Sequence, residues 1–251
     1  MRFLTALRFL TSIPLPKLRE AGDKDIGRSL VYFPVVGIII GLILAGLAWV
    51  LTLILPVTVV AILLLIALVL LIGGLHLDGL ADTFDGLSGH TVEDRQRIMR
   101  DSHIGSFGVV AIVCLLLLEY GSLISIPRAW LFWSLILMPV AGRWAMVYVI
   151  KVYPYARPAG LGTVFKENAG WGSLVIASVI TLAVAGGLFL WAGLVIMAVV
   201  WGVTAGVGAF FKKRFAGLTG DNYGAINLIA EATVLVMVVI LSNMNWLLWW
   251  G

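Results

Sequence analysis

Seven apolar runs divide the chain, at 30–55, 57–75, 107–126, 129–150, 171–190, 192–211 and 225–246, with polar residues gathered between them. Each run approaches the ~20 residues that a helix needs to cross ~30 Å of hydrocarbon. None alternates as a membrane barrel strand does, and backbone groups in lipid must be satisfied within the protein, so each is expected to be a helix. The pattern predicts an all-α, polytopic transmembrane helix bundle of about seven spans. It reads as one domain over 1–251, without a repeat. The gaps around Pro56, Arg128 and Gly193 are only a few residues long and force antiparallel pairs, whereas 76–106, 151–170 and 212–224 hold most of the polar matter. Function is expected on that polar face. Before the first run, Phe3, Leu4, Leu7, Phe9, Leu10 and Ile13 interleave with Arg2 and Arg8, which suits an amphipathic helix at 2–13 in the headgroup layer.

Composition agrees: 61% of residues are hydrophobic and 12% charged, against about a quarter charged in a soluble domain. Charge then orients the bundle. Arg2, Arg8, Lys17, Arg19, Lys24 and Arg28 precede the first span, and Arg95, Arg97, Arg100, Lys151, Arg157, Lys166, Lys212, Lys213 and Arg214 occupy the long gaps. Cations are retained on the cytoplasmic side of short loops, so the N-terminus is expected to be cytoplasmic. The C-terminus, with Trp246, Trp249 and Trp250 as an interfacial anchor, falls on the far side. The net charge of +4 thus reflects membrane retention and gives no reason to expect nucleic acid. A single cysteine, Cys114, excludes an internal disulfide and is read as packing. No cleavable signal peptide is recognisable.

Candidate chemistry begins just after the second run. On a helix, Asp78, Asp82 and Asp85 stand at i, i+4 and i+7 on one face, and their repulsion must be relieved by a cation, by protonation or by water. No lysine or arginine lies between 76 and 94 to neutralise them. Mg²⁺ takes hard oxygens, commonly a few carboxylates plus substrate phosphates, so a divalent-cation site is expected here in preference to a solvated helix end. Gly79 and Gly86 are read as leaving space for a phosphate ester. A second cluster joins Arg95, Arg97 and Arg100 to Asp101, Ser102 and His103. Its guanidinium forks match phosphate oxygens, while Asp101 suits a metal ligand, a proton acceptor or a helix cap equally. A third, Gly217–Ala225, is a glycine-rich turn at a helix start with Asp221 as a further hard ligand, and it is also good cap chemistry. The fourth, at 153–167, mixes aromatic residues and glycines with Arg157 and Lys166 and suits a phosphorylated, ring-containing substrate. Glu119, Arg143 and Glu231 lie inside spans, where an ionisable group costs ~2.5 kcal/mol or more. They are expected to face the bundle, either as an Arg143–Glu119 lock or behind a cavity. Gly37 and Gly41 form a Gly-x-x-x-Gly pair that permits close helix approach.

These stretches together resemble the cobalamin synthase family, the adenosylcobinamide-GDP ribazoletransferases. The resemblance runs from 3–16 through 33–37, His76-Leu-Asp-Gly-Leu-Ala-Asp-Thr-Phe-Asp-Gly86, Ile98-Met-Arg-Asp-Ser-His-Ile-Gly105 and Tyr155-Ala-Arg-Pro-Ala-Gly-Leu-Gly162 to Thr219-Gly-Asp-Asn-Tyr-Gly-Ala225. It departs at Ser12 and His103, where members often carry arginine, and at Asn227-Leu228, where a glutamate is common. The resemblance implies a multi-pass enzyme of the bacterial inner membrane with its site facing the cytoplasm. It further implies transfer of the adenosylcobinamide phosphate moiety from adenosylcobinamide-GDP to α-ribazole or its 5′-phosphate, with Mg²⁺ required and GMP released. On this reading Asp78, Asp82, Asp85 and Asp221 hold the metal, Asp101 receives the proton of the ribazole 5′-hydroxyl, and Asp82 is catalytic. His76, Arg100, Arg157 and Lys166 bind substrate, with Arg143 and Glu231 behind them. A homo-oligomer or association with other cobalamin-assembly enzymes stays open. Two other readings are a CDP-alcohol phosphotransferase, whose second aspartate motif is missing here, and a transporter, which predicts midplane charges and a repeat relating two halves.

Overall fold

The apolar runs fold as α3 (Phe33–Leu51), α4 (Val57–Ile72), α7 (Ser106–Ser125), α8 (Arg128–Val152), α10 (Trp171–Phe189), α11 (Trp191–Phe215) and α12 (Gly220–Asn243) in a computed structural model that describes residues 2–15, 22–158, 160–244 and 246. Shorter helices fill the polar gaps: α1 (Arg2–Leu10), α2 (Asp23–Ser29), α5 (Leu75–Gly86), α6 (Val92–Ile98) and α9 (Leu161–Asn168). Among the described residues six helices are long and apolar enough to cross a membrane, and α4 with α5 makes a seventh, bent candidate. Lys17, Arg19, Trp249 and Trp250 lie outside the described residues.

The bend decides where the chemistry goes. Gly73 and Gly74 take φ of +62° and +71°, a left-handed conformation that glycine adopts without steric cost, and α5 leaves at 91° to α4. At twelve residues α5 is about 18 Å long, too short to cross by itself. It packs instead on α7 and α12, bonding to the first turns of both. The same end of the bundle collects the start of α3, the end of α8 and the connections 153–158 and 216–219. α1 joins it too, burying Ala6, Leu7 and Leu10 while Arg8 stays exposed. The Ser12 amide donates to the Leu71 carbonyl at 2.7 Å, tying α1 to the end of α4.

α8 and α12 form the enclosed centre, whereas α7, α10 and α11 show large apolar side chains such as Leu117, Val179 and Trp201 on their outer faces. Cys114 is on that exposed face of α7, which corrects its assignment to internal packing. α3 runs along α8 through the small-residue pair. A Cβ at Gly37 would lie 2.6 Å from the Pro139 carbonyl oxygen, and one at Gly41 would lie 2.6 Å from Ile136 Cα. Backbone cannot yield as a side chain can. Gly41→Val is therefore expected to cost about 1–3 kcal/mol or more by overpacking, read as a lower thermal midpoint in detergent. Gly46→Val, with nothing within 4 Å, should leave the midpoint unchanged.

Candidate active site

The site forms where α5 crosses the start of α12. Glycine permits that crossing: a Cβ at Gly79 would lie 2.7 Å from the Asp221 carbonyl oxygen, and one at Gly224 would lie 3.2 Å from His76 Cα. Asn222 Nδ2 donates to Thr83 Oγ1 at 3.0 Å across the joint. Thr219 and Asn222 form a reciprocal capping box that fixes the first turn of α12 and so the place of Asp221. A backbone bridge pairs Tyr155 with Leu218, with the Ala156 amide donating to the Leu218 carbonyl and the Leu218 amide to the Pro154 carbonyl, both at 2.9 Å. That bridge carries Arg157 to Asp221, where Nη2 meets Oδ2 at 3.0 Å. The third and fourth sequence clusters, far apart in the chain, are thus one structure.

Between these elements lies a cleft of about 270 Å³ lined by Asp78, Asp221 and Arg157 together with His76, Tyr223 and Phe165. Asp82 is half-buried one turn from Asp78. Its carboxyl is pushed up to about 6 by burial, then by the negative charges of Asp78, Asp221 and Asp85. Repulsion of this kind is what a divalent cation relieves. Among the described residues no three His, Cys, Asp or Glu side chains converge closely enough to hold a metal alone. A shell that Mg²⁺ completes with substrate phosphates and water needs only one or two carboxylates, so the oxygen donors present fit such an ion when substrate is there to share it.

Residues 2–239 match the sequence profile of the family described as cobalamin-5-phosphate synthase. The chain belongs to that family. It is 42% identical to the adenosylcobinamide-GDP ribazoletransferase of Roseiflexus sp. (strain RS-1), with 96% of this chain and 90% of the relative covered. It is 38% identical to the proteins of that name from Desulforamulus reducens (94% of each chain) and Acetivibrio thermocellus (94% of this chain, 96% of the relative). No solved structure matches. The chain is thereby a cobalamin-biosynthesis transferase of phosphate-containing groups.

In this family member the other expected site residues divide into those at the cleft and those elsewhere. Asp85 is buried, and its two oxygens accept from the Gly105 and Gly108 amides at 2.7 and 2.8 Å. It holds the start of α7 against α5. Asp101 sits apart from the cleft lining, largely exposed, accepting from the His103 amide at 3.0 Å and paired with His103 Nδ1 at 2.7 Å. Those bonds hold its pKa below the ordinary carboxylate value. Arg100 is exposed and donates to the Gln96 carbonyl at 3.1 Å. Lys166 turns to the end of α8, donating to the Lys151 carbonyl at 2.8 Å, and burial and then the Lys151 charge lower its pKa. His76 is 1% exposed, and burial and then the Arg143 charge hold its imidazole below its ordinary pKa. Arg143 pairs with Glu231 and not with Glu119; the latter is buried within range of the Glu231 charge. Room for a phosphate ester at Gly79 and Gly86 is not found. The first faces the Asp221 main chain and the second the Met99 side chain.

Two wall residues were not named as site residues from the sequence, although Phe165 lies in the aromatic-bearing fourth cluster and Phe9 in the amphipathic start. Phe9 and Phe165 meet from opposite ends of the chain with ring centres 5.0 Å apart and wall the cleft. Tyr223 also lines it, and its place beside Asp221 in the glycine-rich turn was the available clue.

Proposed function

We propose that this cleft transfers the adenosylcobinamide phosphate moiety of adenosylcobinamide-GDP to α-ribazole or α-ribazole 5′-phosphate at the cytoplasmic face of the inner membrane, releasing GMP. The observation that carries the reading is the meeting of Asp78, Asp221 and Arg157 at one cleft with Asp82 beside them, in a chain whose relatives are named for that transfer. The 5′ oxygen is already esterified in α-ribazole 5′-phosphate. The nucleophile common to both acceptors is therefore a ring hydroxyl of the ribose and not the 5′-hydroxyl expected above. Its oxygen attacks the cobinamide-bearing phosphorus, the bond from that phosphorus to the bridging oxygen breaks, and GMP leaves with that oxygen. Asp82 receives the proton, because a carboxyl near 6 suits acid–base exchange at neutral pH better than the exposed, low-pKa Asp101. Arg157 offers a guanidinium to the diphosphate, and Asp85 keeps α5 and α7 in register. Asp78 and Asp221, which line the cleft, would hold Mg²⁺, which would supply neutralisation of charge on the diphosphate and the departing GMP, leaving Asp82 beside them to take the proton. GMP release by purified protein, with and without Mg²⁺, tests the reaction; release of CMP from CDP-diacylglycerol instead would overturn it.

The pH dependence has a definite sign. A carboxyl raised to about 6 in the fold favours the protonated state, so its contribution is complete below the unfolded value of about 3.9 and is lost as pH rises through 6. Without a divalent cation, thermal stability is expected to fall between pH 4 and 7. Added Mg²⁺ should raise the midpoint at pH 7.5 and have less effect at pH 5, where a proton on Asp82 already relieves the repulsion. A thermal scan in detergent measures both; an equal Mg²⁺ effect at the two pH values would argue against these ligands.

A further inference from the structure

The cleft lining is of two unlike kinds. Asp78, Asp221 and Arg157 supply charge, while Phe9, Phe165, Met146 and Ile150 supply an apolar wall. Two further lining side chains, His76 and Tyr223, are polar yet 1% and 3% exposed. Both imidazole nitrogens of His76 and the Tyr223 hydroxyl lack a hydrogen-bond partner among the described residues. Buried polar groups are normally satisfied, and both residues line a space that a ligand can enter.

We propose that this cleft is the acceptor pocket: it encloses the apolar bicyclic base of ribazole against Phe9 and Phe165, and His76 and Tyr223 donate to the in-plane ring nitrogen and ribose of that nucleoside. The inference rests on the transfer reaction proposed above and assigns one of its two substrates to the enclosed space. Size supports the choice. A volume of about 270 Å³ falls just below the usual range of ligand pockets, about 300–1,000 Å³, and suits a nucleoside but not a corrin macrocycle. Chemistry separates the two nucleosides in play. Guanine carries donors and acceptors around its edge that a wall of phenylalanine, methionine and isoleucine would leave unpaired. A dimethylbenzimidazole presents methyl groups and a single ring nitrogen with a free lone pair, which is what an aromatic wall with buried donors accommodates. With the base seated there, its ribose hydroxyls face the aspartates, and the corrinoid and guanosine of the donor stay at the mouth.

The test compares steady-state constants for α-ribazole and for its indole analogue, in which the ring nitrogen is replaced by CH, using purified protein in detergent. Wild type is expected to show at least a fivefold higher KM for the indole analogue. In the Tyr223→Phe, His76→Leu double variant that preference should fall to within twofold of unity. Absence of the preference in wild type, or its full retention in the double variant, overturns the proposal. Leu161→Trp, at a rim position 45% exposed and so tolerant of a larger side chain, should raise KM for α-ribazole at least tenfold and leave KM for adenosylcobinamide-GDP within twofold. The reverse pattern would place the donor in the cleft. Equilibrium binding of radiolabelled α-ribazole to wild type without donor distinguishes the two levels of the argument. Binding that Leu161→Trp abolishes, from protein that releases no GMP, upholds the pocket and removes the reaction; GMP release without any such effect of Leu161→Trp on α-ribazole removes the pocket alone.

Discussion

Asp82→Asn is expected to lower kcat by about 10²–10⁴-fold, the range over which a positioned proton acceptor acts, while the midpoint of thermal unfolding above pH 6 rises. The two effects share one cause. Asp82 accepts no hydrogen bond and forms no ion pair among the described residues, so an amide of the same shape breaks no contact. Its charge is what the fold resists, since burial and the charges of Asp78, Asp221 and Asp85 favour the neutral form. An uncharged side chain removes that repulsion and removes with it the oxygen that takes a proton. Asp85→Asn should behave in the opposite way. Both Asp85 oxygens accept backbone amides, an asparagine sets an NH₂ against one of those donors, and the midpoint should drop. Measuring kcat and thermal midpoint for both variants at pH 7.5 checks this. A destabilised Asp82→Asn, or one that keeps its turnover, would remove Asp82 from the chemistry.

The contrast between these aspartates also shows what a sequence discloses in a protein of this kind. Lipid imposes a one-dimensional constraint, so the seven runs could be read from the chain, and α3, α4, α7, α8, α10, α11 and α12 fall on them. The amphipathic start became α1 for the same reason, and Gly37 and Gly41 became the α3–α8 contact. Helical spacing likewise placed Asp78, Asp82 and Asp85 on one face, but a seven-residue separation along a helix is about 10 Å. The first carboxylate therefore meets the cleft while the last meets the start of α7. Nothing in the spacing tells which neighbouring element each will find. Asp101 illustrates the limit from the other side, because its family-like surroundings suggested a proton acceptor while its local bonds to His103 hold it at the exposed surface. The meeting of 153–158 with 216–219 is made by a backbone bridge, and no local pattern announces such a bridge. The family resemblance offered a set of candidate residues, and the geometry divides them into cleft, anchor and surface.

Arg143→Ala or Glu231→Ala is expected to destabilise the protein by about 3–5 kcal/mol, the cost of leaving one charge of a buried pair unmatched. Both side chains are fully enclosed and joined by a hydrogen bond from Arg143 Nη1 to Glu231 Oε1. They lie about 13–17 Å along α8 and α12 from the polar end of the bundle, at a depth where water cannot take over the lost partner. The pair is also incompletely satisfied: Arg143 Nε and Nη2 and Glu231 Oε2 have no partner among the described residues. That makes replacement of both charges by apolar side chains much less costly than loss of either. The Arg143→Met, Glu231→Leu double variant should recover most of the stability lost by the single changes, so the thermal midpoints will be strongly non-additive. The recovered variant then separates a lock between helices from a substrate contact. Arg143 lies near enough to His76 for its charge to act on the imidazole, so the pair sits behind a residue of the cleft lining. If support is its whole role, the double variant keeps KM for both substrates within a few-fold of wild type. A selective rise in one KM, in protein with restored stability, would instead make the pair part of that substrate's site.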